Sequence, residues 1–410
     1  MRQVKVSDLK VGDVIACDVS NLNGQVLMAT GTVVGPKHGM ICKAWGIAEV
    51  VIAGESPTLS EPSPAAPPVA TVPIAETSGE IVHPAMAEIS RIAVEVKKAE
   101  ADKAGKTVAP APAPPPGPKT KASPAWQPVT AETVATRSGN LASLPTIYFQ
   151  VNSVINNLNS STSDIAKALG SDQSICARLL RIANSAFYGF PRKIESIAEA
   201  VRIIGTKQLH DLVLATVVLK HFKGLDPGFI TMADFWRHSL ACGIAARCLA
   251  AQRREANVER YFLAGLLHDI GSLLIYQQLA NRAQVVLEQH RETNKPMEDL
   301  ERTIIGCDHA AVGGALINEW KLPPLLRDVA ANHHSLDPRF MSTAIAMVHV
   351  ADVLVLSLGL GTNGELRAPQ LNVLAWDSLG LAPTCLQQVA TDMTGLLAEA
   401  EKLFLTEDKA

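Results

Sequence analysis

The sequence predicts a mainly α protein: a two-lobed all-helical domain preceded by a small β-rich N-terminal module and a Pro/Ala-rich linker. Three observations predict this. From Leu141 onward apolar residues recur at helical spacing between polar caps. Residues 1–54 are short apolar runs separated by Gly and Asn turns. Between them, 55–139 is dominated by Pro, Ala, Ser and Thr.

In the first module, Leu9 to Ile15 reads as a turn into a strand, and Asn23-Gly24 is a hairpin signal between apolar runs. Thr30 to Val34 and Gly46 to Ile52 supply further strands. The module holds no cluster of catalytic side chains, so docking or regulation is its expected use. The linker contains Pro110-Ala111-Pro112-Ala113-Pro114-Pro115-Pro116, a composition with too little apolar area to offset ordering entropy. Residues 85–104 are the exception. Met86, Ile89, Ile92, Ala93 and Val96 share a helical face there. That segment is either a marginal helix in a tether or a docking or dimerisation element.

The first helical lobe spans 140–228. Ser163, Ser171 or Asp172, Ser196 and Thr206 can each cap a helix, and Gly205 stops one. Asn184 to Pro191 reads as a loop. The second lobe spans 229–405. Its helices are expected over roughly 233–252, 258–279, 281–290, 297–305, 308–320, 323–333, 342–358 and 382–405.

A net charge of −3, without a concentrated basic face, argues against direct nucleic-acid binding. Seven scattered cysteines without CxxC spacing read as buried small residues in a reducing compartment, Cys307 included. The N-terminus has no apolar signal segment, and no stretch is long and apolar enough to span a bilayer. A cytoplasmic location, away from membranes, is the expectation.

Chemistry concentrates in the second lobe. His268-Asp269 follows the apolar run Tyr261 to Leu267, and burying such a pair is costly unless both find partners. One divalent cation satisfies both, provided other ligands arrive from elsewhere. His238, Asp308-His309, His333-His334, His349 and Asp352 are the candidates. Roles without an ion exist for some. Asp308 can cap a helix that begins at His309. His333 and His334 can sit at a helix C-terminus, where the dipole favours imidazolium. His210, His221 and His290 fall outside the pattern and read as surface or boundary residues.

At these residues the chain resembles a known family. Leu179 to Gly189, followed by Ile194 to Ala200, is similar to the first-lobe hallmark of HDOD domains, the HD-related output domains of bacterial signalling proteins. Phe235 to Ser239, Leu263 to Gly271, Asp308 to Gly313 and His333-His334 resemble its second lobe, in order. The likeness covers about 141–370. Residues 1–54 are similar to a small module ahead of some HD-GYP proteins.

The resemblance implies descent from HD-superfamily metal phosphohydrolases, with one or two divalent ions (Fe, Mn or Zn). Carried over by position, His238, His268, Asp269 and Asp352 hold one cation. His309, His333 and His334 hold a second, with Asp269 as the bridge at the catalytic centre. His349 shares a helical face with Asp352 and competes for its role.

The pattern also departs from its relatives. Ser272 stands where HD phosphohydrolases often carry Lys. Ser335 to Phe340 replaces the Gly-Tyr-Pro element of HD-GYP phosphodiesterases. Arg237 and Arg327 are candidates for the missing positive charge. Two functions follow. One is a signal-transduction output protein that retains a metal site and acts by binding a signalling partner or a nucleotide second messenger. The other is a metal-dependent phosphohydrolase or phosphodiesterase acting on a nucleotide or cyclic dinucleotide.

Overall fold

The computed structural model describes short segments between Arg2 and Ile52, then residues 83–104, 126–137, 144–157, 159–185, 188, 192–222, 225, 230–335 and 337–405. The chain divides into two compact units, Met1–Gly79 and Glu80–Ala410.

In the first unit, β1 (Arg2–Lys5) pairs antiparallel with β4 (Glu49–Ile52), and β2 (Val19–Ser20) with β3 (Val26–Met28). Isolated bridges join Val14 to Val33 and Ile15 to Ile52. Val4, Ile15, Val19, Val34, Val50 and Ile52 form its own small core. The Asn23-Gly24 turn lies outside the described residues, as do linker residues 55–82 and 105–125.

The second unit is helical around one continuous core. Two of its helices fall inside the stretch assigned to the linker. Helix α1 (Pro84–Ala104) buries Ala85, Ile89 and Ile92, and α2 (Ala131–Thr136) buries Ala131, Val134 and Ala135. So 55–139 is not a tether throughout. The Ile89 face packs on the helical unit because fully burying an Ile side chain contributes about 1.5–3 kcal/mol.

The first lobe comprises α3 (Thr146–Ile155), α4 (Thr162–Gly170), α5 (Gln173–Ala183), α6 (Ile197–Ile204) and α7 (Thr206–His221). Ser161 caps α4 in a capping box with Asp164, and Ser196 caps α6. The predicted cap at Ser163 is therefore two residues late.

The second lobe holds α8 (Met232–Gln252), α9 (Glu259–Leu267), α10 (Ile270–Gln278), α11 (Ala280–Thr293), α12 (Met297–Ile304), α13 (His309–Glu319), α14 (Pro324–Asn332), α15 (Thr343–Leu358), α16 (Val373–Leu379) and α17 (Cys385–Phe404). The helix expected over 258–279 is broken at His268-Asp269, where Asp269 has φ −97° and ψ 12°. Helix α16 was not expected; Asn372 caps it through the Leu374 and Ala375 amides. No described helix is long and apolar enough to cross a membrane.

Two close approaches position the site. A Cβ on Gly265 of α9 would lie 2.8 Å from the Cys242 carbonyl of α8, so only glycine lets these helices touch there. A Cβ on Gly271 would collide with the His309 carbonyl oxygen and the Gly313 amide, and α10 and α13 meet at that point.

Candidate functional site

The break between α9 and α10 points the Asp269 side chain into the core, where residues from six helices and their ends converge. His238 comes from α8, His309 from the start of α13, His333 and His334 from the end of α14, and Asp352 from α15. His238, His268, Asp269 and His309 are 0% exposed, and His333 and Asp352 are 1% exposed. All seven predicted site residues are thus brought together.

Asp269 stands between two groups. Its Oδ2 lies 3.1 Å from His268 Nε2 and 3.4 Å from His238 Nε2. Its Oδ1 lies 3.2 Å from His333 Nε2 and 3.5 Å from His309 Nε2. Asp352 Oδ1 adds to the first group, 3.2 Å from His238 Nε2 and 3.8 Å from His268 Nε2. His334 Nε2 adds to the second, 2.9 Å from His309 Nε2.

Hydrogen bonds behind the rings decide which nitrogen faces inward. His268 Nδ1 donates to the Gly265 carbonyl at 2.7 Å, and His333 Nδ1 to the Ala330 carbonyl at 2.9 Å. His309 Nδ1 donates to Glu301 Oε2 at 2.7 Å, and the same oxygen accepts the His309 backbone amide. A neutral imidazole that donates from Nδ1 presents a lone pair at Nε2. Three lone pairs and two carboxylates therefore aim at one enclosed space.

The fit to a divalent cation follows from groups left over. His268 Nε2, His333 Nε2 and Asp269 Oδ1 are buried and make no hydrogen bond. Each such group costs about 1–3 kcal/mol unless something satisfies it. Imidazole nitrogen and carboxylate oxygen are ordinary ligands of divalent metals, so the donor set suits such an ion.

The electrostatics favour a carboxylate at Asp269 and imidazolium at His238 and His309, whose protons a bound cation would have to displace. Burial would raise the Asp269 carboxyl, but His268, His238 and His333 hold it well below the ordinary range. Burial would lower His238, yet Cys242, Asp269 and Asp352 together hold it well above its usual value. His309 is likewise raised against burial, by Glu301 and Asp269. His334 is pushed well down by burial and by its histidine neighbours.

The alternatives sort out plainly. His349 does not compete with Asp352: its Nδ1 donates to the His333 carbonyl at 3.0 Å, and its Nε2 accepts from the Asn372 amide at 2.9 Å. Asp308 caps α13 through Ala311 N, while His309 Nε2 still faces the cluster, so both roles coexist. Arg237 pairs with Glu401 at 2.8 Å, and Arg327 pairs with its neighbour Asp328. Each is engaged in an ion pair away from the cluster. Ser272 is fully buried on α10.

Four contributors were missed in the sequence. Cys242, read as core packing, places Sγ 3.5 Å from His238 Nε2. Its i, i+4 spacing from His238 was the available signal. Burial pushes its thiol up to about 12. Glu301 and Asn363 act from behind: Asn363 Nδ2 donates to Asp269 Oδ2 at 2.8 Å. Glu365 follows, and burial, with Asp352 and Glu298 nearby, pushes its carboxyl well above the ordinary range. No local motif marks these last three.

A cavity of about 340 Å³ reaches this cluster at His334, lined also by His290, Glu298, Glu365 and Arg367. His290 is buried rather than a surface residue. Its Nδ1 donates to the Lys295 carbonyl and its Nε2 accepts the Leu366 amide, which ties the Arg367 loop to the end of α11.

Comparison with known proteins matches residues 141–336 to the HDOD domain. An uncharacterized protein of Treponema pallidum (strain Nichols) is 26% identical over 207 residues, 50% of this chain and 40% of that protein. The chain thus matches less than half the length of this curated relative. The crystal structure of an HDOD domain protein of unknown function from Geobacter sulfurreducens superposes with a TM-score of 0.57 at 25% identity, covering 67% of this chain and 99% of that one. A candidate signal transduction protein from Marinobacter aquaeolei VT8 shares the fold, with a TM-score of 0.52 at 17% identity, covering 79% of this chain and 67% of that one.

Proposed function

The chain carries an HDOD domain over residues 141–336, and from that premise we propose that it is a signalling output protein built around a divalent metal centre. His238, His268 and Asp352 would hold one ion and His309, His333 and His334 a second, with Asp269 standing between the two groups. The observation that carries this reading is the unsatisfied trio of His268 Nε2, His333 Nε2 and Asp269 Oδ1 in a closed interior. The long stretch between the β module and the helical unit supports an output role, since tethering raises the effective concentration of whatever each unit binds. A signalling protein or a nucleotide second messenger is the expected ligand.

A second reading, phosphodiester hydrolysis, is favoured by the cavity that joins His334 to Arg367. Bound divalent ions would supply Lewis acidity and water activation near neutral pH. Glu301 and the Gly265 and Ala330 carbonyls hold the imidazoles in the required tautomer. Asn363 holds Asp269. Arg367 has no ion-pair partner among the described residues and lines the same cavity as His334, which makes it the candidate cation for an incoming phosphate.

Elemental analysis of full-length protein purified without chelator tests the metal centre. One to two equivalents of iron, manganese or zinc are expected, and His268→Ala should lose them. A metal-free wild type whose melting is unchanged by added metal would overturn it. Turnover of a bis-nitrophenyl phosphate by the loaded protein separates the readings: cleavage favours the hydrolase, and loaded but inert protein the output module.

A further inference from the structure

We propose that Cys242 is a sulfur ligand of the metal centre, and that it makes the His238–His268–Asp352 side a site selective for zinc-like ions. The inference rests on the metal reading above.

Cys242 lies one helical turn beyond His238 on α8, so both side chains leave the same face of that helix. Ligand atoms of His238, Cys242, His268 and Asp352 all lie within 4.8 Å of one another. Bonds of about 2.0–2.1 Å to nitrogen or oxygen and about 2.3 Å to sulfur give a tetrahedron N···O edges of about 3.3 Å and S···N or S···O edges of about 3.6 Å. The observed separations are 3.2 Å for His238 Nε2 to Asp352 Oδ1, 3.5 Å for Cys242 Sγ to His238 Nε2 and 3.8 Å for Cys242 Sγ to Asp352 Oδ1. His268 Nε2, buried and without a hydrogen bond, borders the same space independently of the cysteine, 3.8 Å from Asp352 Oδ1 and 3.1 Å from Asp269 Oδ2, which lies at the edge shared with the opposite group.

The described hydrogen-bond contacts of the thiol are to His238 and Asp352 themselves, so no group outside the cluster competes for it. Sulfur donors favour zinc and similar ions over manganese or magnesium. The opposite group, Asp269, His309, His333 and His334, is all nitrogen and oxygen. The two sides should therefore differ in metal preference.

Cobalt(II) titration of chelator-stripped full-length protein tests this. A sulfur-to-cobalt charge-transfer band should grow in the near ultraviolet. Cys242→Ser should remove it while retaining the visible bands of bound cobalt, and Cys248→Ser should keep it. The preference for zinc over manganese, read by competition, should fall about tenfold or more in Cys242→Ser. If that variant does not fold, a chain with every other cysteine replaced by serine decides instead, and it should keep the band. Cobalt bound without the band in the wild type, or a band lost from that last chain, overturns the sulfur ligand and leaves the metal centre standing. A wild type that binds no cobalt overturns both.

Discussion

Asp352 Oδ1 lies 3.2 Å from His238 Nε2 in a space closed to solvent. The two residues come from different helices, α15 and α8, and their meeting closes one side of the candidate metal centre. Removing Asp352 takes away the nearer of the two carboxylates that face His238, leaving Asp269 Oδ2 at 3.4 Å. Breaking a buried pair of this kind costs about 3–5 kcal/mol. Asp352→Ala should therefore lose about 3 kcal/mol or more in urea unfolding of chelator-treated protein. A loss within experimental error would show that the pair contributes nothing without metal.

Gly271 is where α10 rests on α13. An alanine Cβ there meets backbone, which cannot step aside as a flexible side chain would. Gly271→Ala should cost about 3 kcal/mol and should also weaken metal retention, because Asp269 and His309 are held on these same two elements. Thermal melting and metal content check the two effects separately. An unchanged melting midpoint would mean that the helices separate freely.

Tyr276 donates to the Asn363 carbonyl, and Asn363 in turn holds Asp269. Burial, followed by Glu301, Asp269 and Glu365, raises the Tyr276 hydroxyl well above its usual value. A group raised in the folded state stabilises fully below its unfolded pKa, about 10 for tyrosine, and that contribution fades as pH rises through the folded value. Stability should thus fall with pH above about 10, and Tyr276→Phe should fall less steeply. Below that pH the variant should lose about 0.5–1.5 kcal/mol, the net worth of one hydrogen bond. Parallel slopes in urea melts across this range would refute the assignment.

Ile89 of α1 is 0% exposed against the helical unit. Ile89→Ala should cost about 2–5 kcal/mol, whereas the same change in a free tether would cost nothing. Exposed Val94 on the same helix provides the control; Val94→Ala should leave the melting midpoint where it is.

Much of this was legible along the chain. Helical periodicity and polar caps marked most second-lobe helices, because burying an apolar stripe leaves a local trace. The His238, His268-Asp269, His309, His333-His334 and Asp352 order was legible because several imidazoles and acids on apolar helices have few explanations. The break at Asp269 was not, since the apolar run continues through it. Helix α1 was read in its spacing, but not its packing, because a stripe does not name the surface it will cover.

By itself, the sequence determined that the domain is helical and which side chains could bind a cation, since periodicity and residue chemistry are local properties. Tertiary structure decided which nitrogen of each ring faces inward, that His349 serves the backbone instead, and that Cys242, Glu301 and Asn363 join the centre. Those outcomes depend on distances between helices far apart in the chain. They are set by how closely glycines such as Gly265 and Gly271 let the backbones approach, which no single segment encodes.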